Sequence, residues 1–192
     1  MRYIADTVDF QLEEPTVVTL GKFDGRHRGH QKLLHTMEEL KETLGYATAI
    51  FTFSTAPLSL VTGEAATVIT TSEERRHNME KMGIDYLVEY PFTDDVRKMD
   101  PSVFVKDILV KRMRAKAMVV GPDCSFGYKG AGNVELLRSL SKELGFELYV
   151  IQKEKDHRRD ISSTYIREEL SLGNVAKANE LLGEPYAIHG IV

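Results

Sequence analysis

The densest chemistry in this 192-residue chain lies in Gly21-Lys22-Phe23-Asp24-Gly25-Arg26-His27-Arg28-Gly29-His30. Gly25 and Gly29 let the backbone approach a ligand closely, and a helix beginning near Gly29 would aim unpaired N–H groups and a partial positive charge at that point. An anion is the natural occupant. His27 and His30 can donate hydrogen bonds to phosphate oxygens, and Lys22, Arg26 and Arg28 can add positive potential, a set suited to a polyphosphate. The pattern is neither the Gly-x-x-x-x-Gly-Lys-Ser/Thr loop nor the dinucleotide Gly-x-Gly-x-x-Gly turn. Two other readings stay open on the residues alone. His-x-x-His with Asp24 can bind zinc, although no cysteine lies nearby and a helix start favours anions. The histidines can also simply satisfy local hydrogen bonds in a turn.

The elements that would position this loop follow from hydrophobic periodicity. Thr16 to Leu20 is β-branched and apolar, a buried strand running into the loop. After the loop, Leu33, Leu34, Met37, Leu40 and Leu44 share one helical face, with Gly45 as the stop. Ala47 to Phe53 reads as a second strand, and Thr71 with Glu74 makes a capping box for a helix ending near Gly83. Tyr86 to Tyr90 reads as a short strand. Asp100-Pro101 opens a helix to roughly Arg112, Ala117 to Val120 is a strand, and a helix from Asn133 to Leu144 leads into the strand Phe146 to Ile151. Two short helices follow, separated by Gly173-Asn174. The alternation predicts an α/β fold: a Rossmann-like, mainly parallel sheet with helices on both faces, its ligand outside the carboxyl ends of the strands.

Bulk properties agree with one globular domain, or one with a small appendage. Hydrophobic residues make up 42% and charged residues 28%, and the net charge of −4 lacks the global basic field of a nucleic-acid or anionic-membrane binder. The single cysteine, Cys124, cannot form an internal disulfide, which fits a reducing, cytoplasmic setting. Met1 to Asp6 meets charge before any apolar leader can form, and no run of about eighteen apolar residues exists. Neither secretion nor membrane spanning is expected. His35, His77 and His157 carry no motif and are expected at the surface, and Cys124 as a small packing residue.

The segment Thr19 to His30 closely resembles the first signature of the prokaryotic bifunctional riboflavin kinase/FMN adenylyltransferase (FAD synthetase) family. Gly121-Pro122-Asp123-Cys124-Ser125-Phe126-Gly127 followed by Gly132 resembles that family's second motif. Ile161-Ser162-Ser163-Thr164-Tyr165-Ile166-Arg167, then Leu181-Leu182-Gly183-Glu184-Pro185-Tyr186, resembles its closing segments. The likeness keeps the family's order across nearly the whole chain and implies a nucleotidyltransferase α/β fold.

It also implies a reaction, FMN plus ATP giving FAD and pyrophosphate with Mg2+, without a covalent enzyme intermediate. By that resemblance His27, His30 and Arg167 are the catalytic residues. ATP and FMN are expected to contact Gly21, Phe23, Asp24, Gly25, Gly29, Asp123, Phe126, Gly127, Ser162, Ser163 and Thr164. No protein metal ligand is expected. Ser162 to Thr164, at an expected helix start, can add hydroxyl and backbone donors; the plainer role of such a run is a simple cap.

Departures are visible. Cys124 stands where the family commonly has phenylalanine, Thr55-Ala56-Pro57 where it has Pro-His-Pro, and Asp160 where some members have arginine, with Arg158 and Arg159 as candidate substitutes. The kinase module's Pro-Thr-Ala-Asn motif is absent, so riboflavin phosphorylation is not expected. Residues 1–184 are taken as the adenylyltransferase domain and 185–192 as a stub leading towards an absent riboflavin kinase domain, the chain being either an excised N-terminal module or a natural single-function form. Partners are then ATP and FMN, with no nucleic acid and no membrane. The alternatives are a related nucleotidyltransferase with another phosphorylated acceptor, or a noncatalytic flavin- or nucleotide-binding module.

Overall fold

The computed structural model describes residues 1–54 and 67–188. Its centre is a six-stranded parallel sheet: β1 (Arg2–Ala5), β2 (Thr16–Leu20), β3 (Ala47–Phe53), β4 (Tyr86–Tyr90), β5 (Ala115–Val120) and β6 (Glu147–Val150), in the spatial order β1-β4-β3-β2-β5-β6. The chain builds outward from β2 through β3 to β4, then returns to place β5 on the other side of β2. The topological switch therefore falls at the carboxyl end of β2, where a crevice opens in folds of this kind.

Side-chain alternation along the strands sorts the core into two layers. On one face Val17, Ile50, Leu87 and Val119 pack with Leu34 and Met37 of α1 (Arg28–Leu44) and Met79 of α2 (Ser72–Lys81). On the other face Val18, Phe51, Val88, Met118 and Val120 pack with Phe104, Val105, Ile108 and Leu109 and with Leu137 and Leu140. The helices on this face are α3 (Pro101–Val103) with its π-helical continuation Phe104–Arg112, and α4 (Val134–Leu144). A third cluster joins α5 (Ser163–Ser171) and α6 (Val175–Leu182) to Ile69.

Local signals set the ends of these elements. Gly45 closes α1 in the left-handed conformation, the Thr71/Glu74 capping box opens α2 in full, and Asp100 caps α3 with Pro101 at its first position. Asn133 caps α4 and Gly145 ends it. Two features differ from the expectation. Edge strand β1 pairs in parallel with β4, and a two-residue hairpin, β7 (Lys155–Asp156) with β8 (Arg159–Asp160), precedes α5. Beyond α6, Tyr186 lies against the third cluster and its amide donates to Asn179 Oδ1 at 2.7 Å. The Thr55-Ala56-Pro57 departure and the last four residues of the expected stub lie outside the described residues.

Candidate active site

The chain leaves β2 with the Gly21 amide still donating to the Phe51 carbonyl, 3.1 Å away, and then turns sharply. Phe23 (φ 51°) and Gly25 (φ 61°) both take the left-handed conformation. Only glycine fits the second: a Cβ there would stand 2.7 Å from Ile69 Cδ1. Phe23 is 2% exposed and belongs to the core beneath α1, its ring centroid 4.8 Å from that of His30. Its side chain is therefore an anchor for the loop.

Asp24 is 6% exposed, with both carboxylate oxygens engaged. Oδ1 accepts from the amides of Ile69 (2.7 Å) and Thr70 (3.1 Å), and Oδ2 from Arg167 Nη1 (2.7 Å). Its carbonyl accepts from Ser163 Oγ at 2.6 Å, and the Gly25 amide donates to Thr70 Oγ1 at 3.2 Å. Loop, Ile69-Thr70 turn and the start of α5 are thus tied at one residue.

His27 is the N-cap of α1, its Nδ1 accepting from the His30 amide at 3.3 Å. His30 Nδ1 lies 3.3 Å from the Gly25 carbonyl, which can only accept, so this nitrogen carries the proton. Burial pushes the basicity of His27 down from the ordinary 6.5 to about 4, against the pull of Asp24. His30 falls to about 3 through burial, with His27 adding to the effect. Both imidazoles are neutral near pH 7. Each uses Nδ1 locally, and their rings stack. Among the described residues no three histidine, cysteine or carboxylate groups cluster as a metal site.

Facing this loop is the start of α5. Ser162 is its N-cap, accepting from the Tyr165 amide at 3.2 Å, while Thr164 Oγ1 accepts from Arg167 Nη2 at 3.2 Å. Of the three hydroxyls one caps the helix, one bolts it to the loop and one holds Arg167. The first amides of α1, at Arg28 and Gly29, and those of Ser163 and Thr164 have no intrahelical acceptor by construction. Two helix N-termini and the Arg167 fork thereby share the rim above β2.

Asp123, Phe126 and Gly127 follow β5, the strand beside β2. Asp123 pairs with Lys153 at 2.7 Å, and Lys153 also reaches Asp160 at 3.4 Å. Phe126 is buried against Phe104 and bridges to Gly132, where a Cβ would stand 2.4 Å from its ring. This second motif shapes the turn from below, and these partners lie outside the glycine-rich loop. Cys124 is half-buried against the core layer that holds Phe104, and burial raises its thiol to about 12.

Several roles were not visible in sequence. Ile69 and Thr70, which hold Asp24, carry no motif beyond standing next to a capping box. Lys153 signals only as a lone lysine. Arg26 and Arg28, expected to add positive potential, have acidic neighbours: Arg26 pairs with Glu184, and Arg28 lies 4.0 Å from Glu154, which also holds Lys32 at 2.7 Å. Their fields at the loop are thereby reduced. Arg159 is taken up by Glu168 and the face of Tyr165.

Residues 9–165 match the family model for FAD synthetase. The bifunctional riboflavin kinase/FMN adenylyltransferase of Escherichia coli (strain K12) is 34% identical over 181 residues, 94% of this chain and 58% of that protein. The chain thus spans somewhat over half the length of the curated relatives it matches. A solved Streptococcus pneumoniae chain, described as a macrolide-efflux protein, superposes with a TM-score of 0.83 at 27% identity, covering 96% of this chain and 70% of its own. No described helix of the present chain is long and apolar enough to cross a membrane. A pantothenate synthetase from Thermus thermophilus shares the fold at a TM-score of 0.56 and 16% identity, over 95% of this chain and 81% of its own. With its family model matched across most of its length, the chain belongs to the FAD synthetase family.

Proposed function

We propose that this chain transfers the adenylyl group of ATP to FMN, giving FAD and pyrophosphate. The observation that carries the reading is the meeting of the His27–His30 cap of α1 with the Arg167-bearing start of α5, tied through Asp24 at the switch point of a parallel sheet. An FMN phosphate oxygen forms a bond to the α-phosphorus of ATP as the bond from that phosphorus to the bridging oxygen breaks, and pyrophosphate leaves with the electron pair. The nucleophile is already an anion, so the site's work is alignment and stabilisation of charge on the α-phosphate and the departing group. His27 presents an Nε2–H donor, the helix-end amides add fixed dipoles, and Arg167 directs its remaining N–H groups at phosphate oxygens.

A magnesium ion would enter this site with the ATP phosphates, beside the helix-end amides and Arg167. When bound it supplies neutralisation of the triphosphate charge. Residues from 185 onward are assigned to the approach to a further domain, and riboflavin phosphorylation is not assigned to this chain. We place the protein in the cytoplasm, with small-molecule substrates and no nucleic-acid partner.

The test is incubation with FMN, ATP and Mg2+, with chromatographic detection of FAD and pyrophosphate. FAD formed in step with pyrophosphate is the expected result. No product at high enzyme concentration removes the assignment, and tight FMN or ATP binding without turnover favours a noncatalytic binding module.

A further inference from the structure

We infer that Asp24 is a positioning residue that acts through Arg167 and does not itself touch substrate; the inference rests on the reaction proposed above. The carboxylate is buried and bonded at both oxygens. Oδ1 is shared by the Ile69 and Thr70 amides, Oδ2 is taken by Arg167, and the residue is 6% exposed. A phosphate meeting this loop would also be repelled by a carboxylate, so a contact through it would oppose binding. Arg167 is placed differently: its side chain is 31% exposed, with Nη1 on Asp24 and Nη2 on Thr164 Oγ1. A guanidinium carries five N–H donors in a rigid plane. Two contacts on its protein side set the direction of that plane and leave donors for a ligand.

The same carboxylate fixes where the plane sits. Oδ1 anchors Asp24 to the Ile69-Thr70 turn, and the Ser163 hydroxyl clamps the Asp24 carbonyl, so the helix carrying Arg167 is bolted to the residue that aims it. Arg167 can therefore hold one geometry as charge develops on the departing phosphates, which is worth most in the transition state.

A double-mutant cycle tests this, using Asp24→Asn, Arg167→Ala and the combination, with thermal unfolding of each protein as a control. Asparagine keeps an acceptor for the two amides and removes the charge that holds the guanidinium. Asp24→Asn is expected to lower kcat about 10- to 100-fold while KM for ATP and FMN moves less than about threefold. Added to Arg167→Ala, the same change should cost less than about threefold more. A double variant that loses the full product of the two single effects overturns the inference, as does an Asp24→Asn protein with raised KM for ATP and unchanged kcat. If Asp24→Asn does not fold, Arg167→Lys carries the test. A lysine can meet Asp24 but cannot also hold Thr164 and a phosphate in one plane, so its kcat should fall to near that of Arg167→Ala, and wild-type kcat overturns the inference. If the wild-type protein makes no FAD, the proposed reaction fails and the cycle is read by pyrophosphate affinity in calorimetry. Asp24→Asn is then expected to weaken binding only where Arg167 is present, and weakening in both backgrounds overturns the inference.

Discussion

The imidazoles of His27 and His30 lie stacked at the start of α1, their centroids 3.7 Å apart and their planes 18° from parallel, with the Phe23 ring against His30. Such a pair tolerates charge poorly, and burial holds the two rings at about 4 and about 3 in place of 6.5. An imidazole made less basic by folding binds fewer protons folded than unfolded between those two pKa values. Folding stability is therefore complete above about pH 6.5 and is lost as the pH falls towards 4. Between pH 7 and pH 5 the expected loss is on the order of 2 kcal/mol per imidazole. Urea unfolding at both pH values measures it, and a His27→Gln/His30→Gln protein should show a flatter pH dependence over the same interval.

The two rings are not chemically equivalent. His27 accepts at Nδ1, so its neutral form bears a proton at Nε2 and can donate to a phosphate. His30 donates at Nδ1 to the Gly25 carbonyl, so its neutral Nε2 bears a lone pair and donates only as imidazolium. A triphosphate beside His30 favours its charged form, so ATP binding is expected to be accompanied by proton uptake that is small at neutral pH and grows as the pH falls towards about 5. Calorimetry of ATP binding in buffers of different ionisation enthalpy measures the uptake. His30→Ala should abolish it and lower turnover by about two to three orders of magnitude, the scale of a lost oxyanion donor, with FMN binding less affected.

How much of this could be read from the sequence depended on the range of the interaction. The caps at Thr71/Glu74, Asp100-Pro101 and Asn133 and the apolar runs of β2 to β5 are local signals, and the elements appear where those signals put them. Strand β1 has no such signal: Arg2–Ala5 is short and half-exposed, and it is a strand because it pairs with β4 more than eighty residues away. The site divides in the same way. The loop from Gly21 to His30 was legible because its glycines and histidines lie within ten residues. The bond from Asp24 to Arg167 spans 143 residues and that from Asp24 to Ile69 spans 45, so neither can be seen before the chain is folded. Charge matching was hidden too, since Arg26 meets its partner Glu184 only through the docking of α6.

Gly25 is the residue on which the loop turns. Alanine there would hold a left-handed backbone that costs about 1–3 kcal/mol, and its Cβ would press on Ile69 at 2.7 Å from Cδ1, 2.8 Å from Cγ2 and 3.0 Å from Cβ. Because the contact reaches Ile69 Cβ, a rotamer change cannot relieve it, and the Ile69 amide would be pushed from Asp24. Gly25→Ala is expected to destabilise the fold by about 2–4 kcal/mol and to weaken ATP binding. Denaturant unfolding and nucleotide titration measure the two effects. Gly83→Ala is the reference for backbone strain alone, since a methyl group added at Gly83 (φ 72°) would meet nothing within 4 Å.

Arg75 and Glu89 form the most buried ion pair among the described residues outside the loop, with side chains 12% and 7% exposed. Glu89, at the carboxyl end of β4, also accepts from the Tyr3 hydroxyl, and Arg75 stands in the first turns of α2, just after the Ile69-Thr70 turn that holds Asp24. Removing one partner leaves the other buried without a counter-charge, which costs about 3–5 kcal/mol, whereas replacing both with apolar groups of similar size is often nearly neutral. Glu89→Ala is therefore expected to lose about 3–5 kcal/mol in denaturant unfolding, and Arg75→Met/Glu89→Leu distinctly less. If the pair serves only to fill the interior, the double variant recovers both stability and ATP affinity. If it also sets where α2 begins, affinity stays reduced after stability returns. The second outcome is expected, because the polar ties from Asp24 and Gly25 to this segment run through residues 69 and 70, whose position depends on that helix.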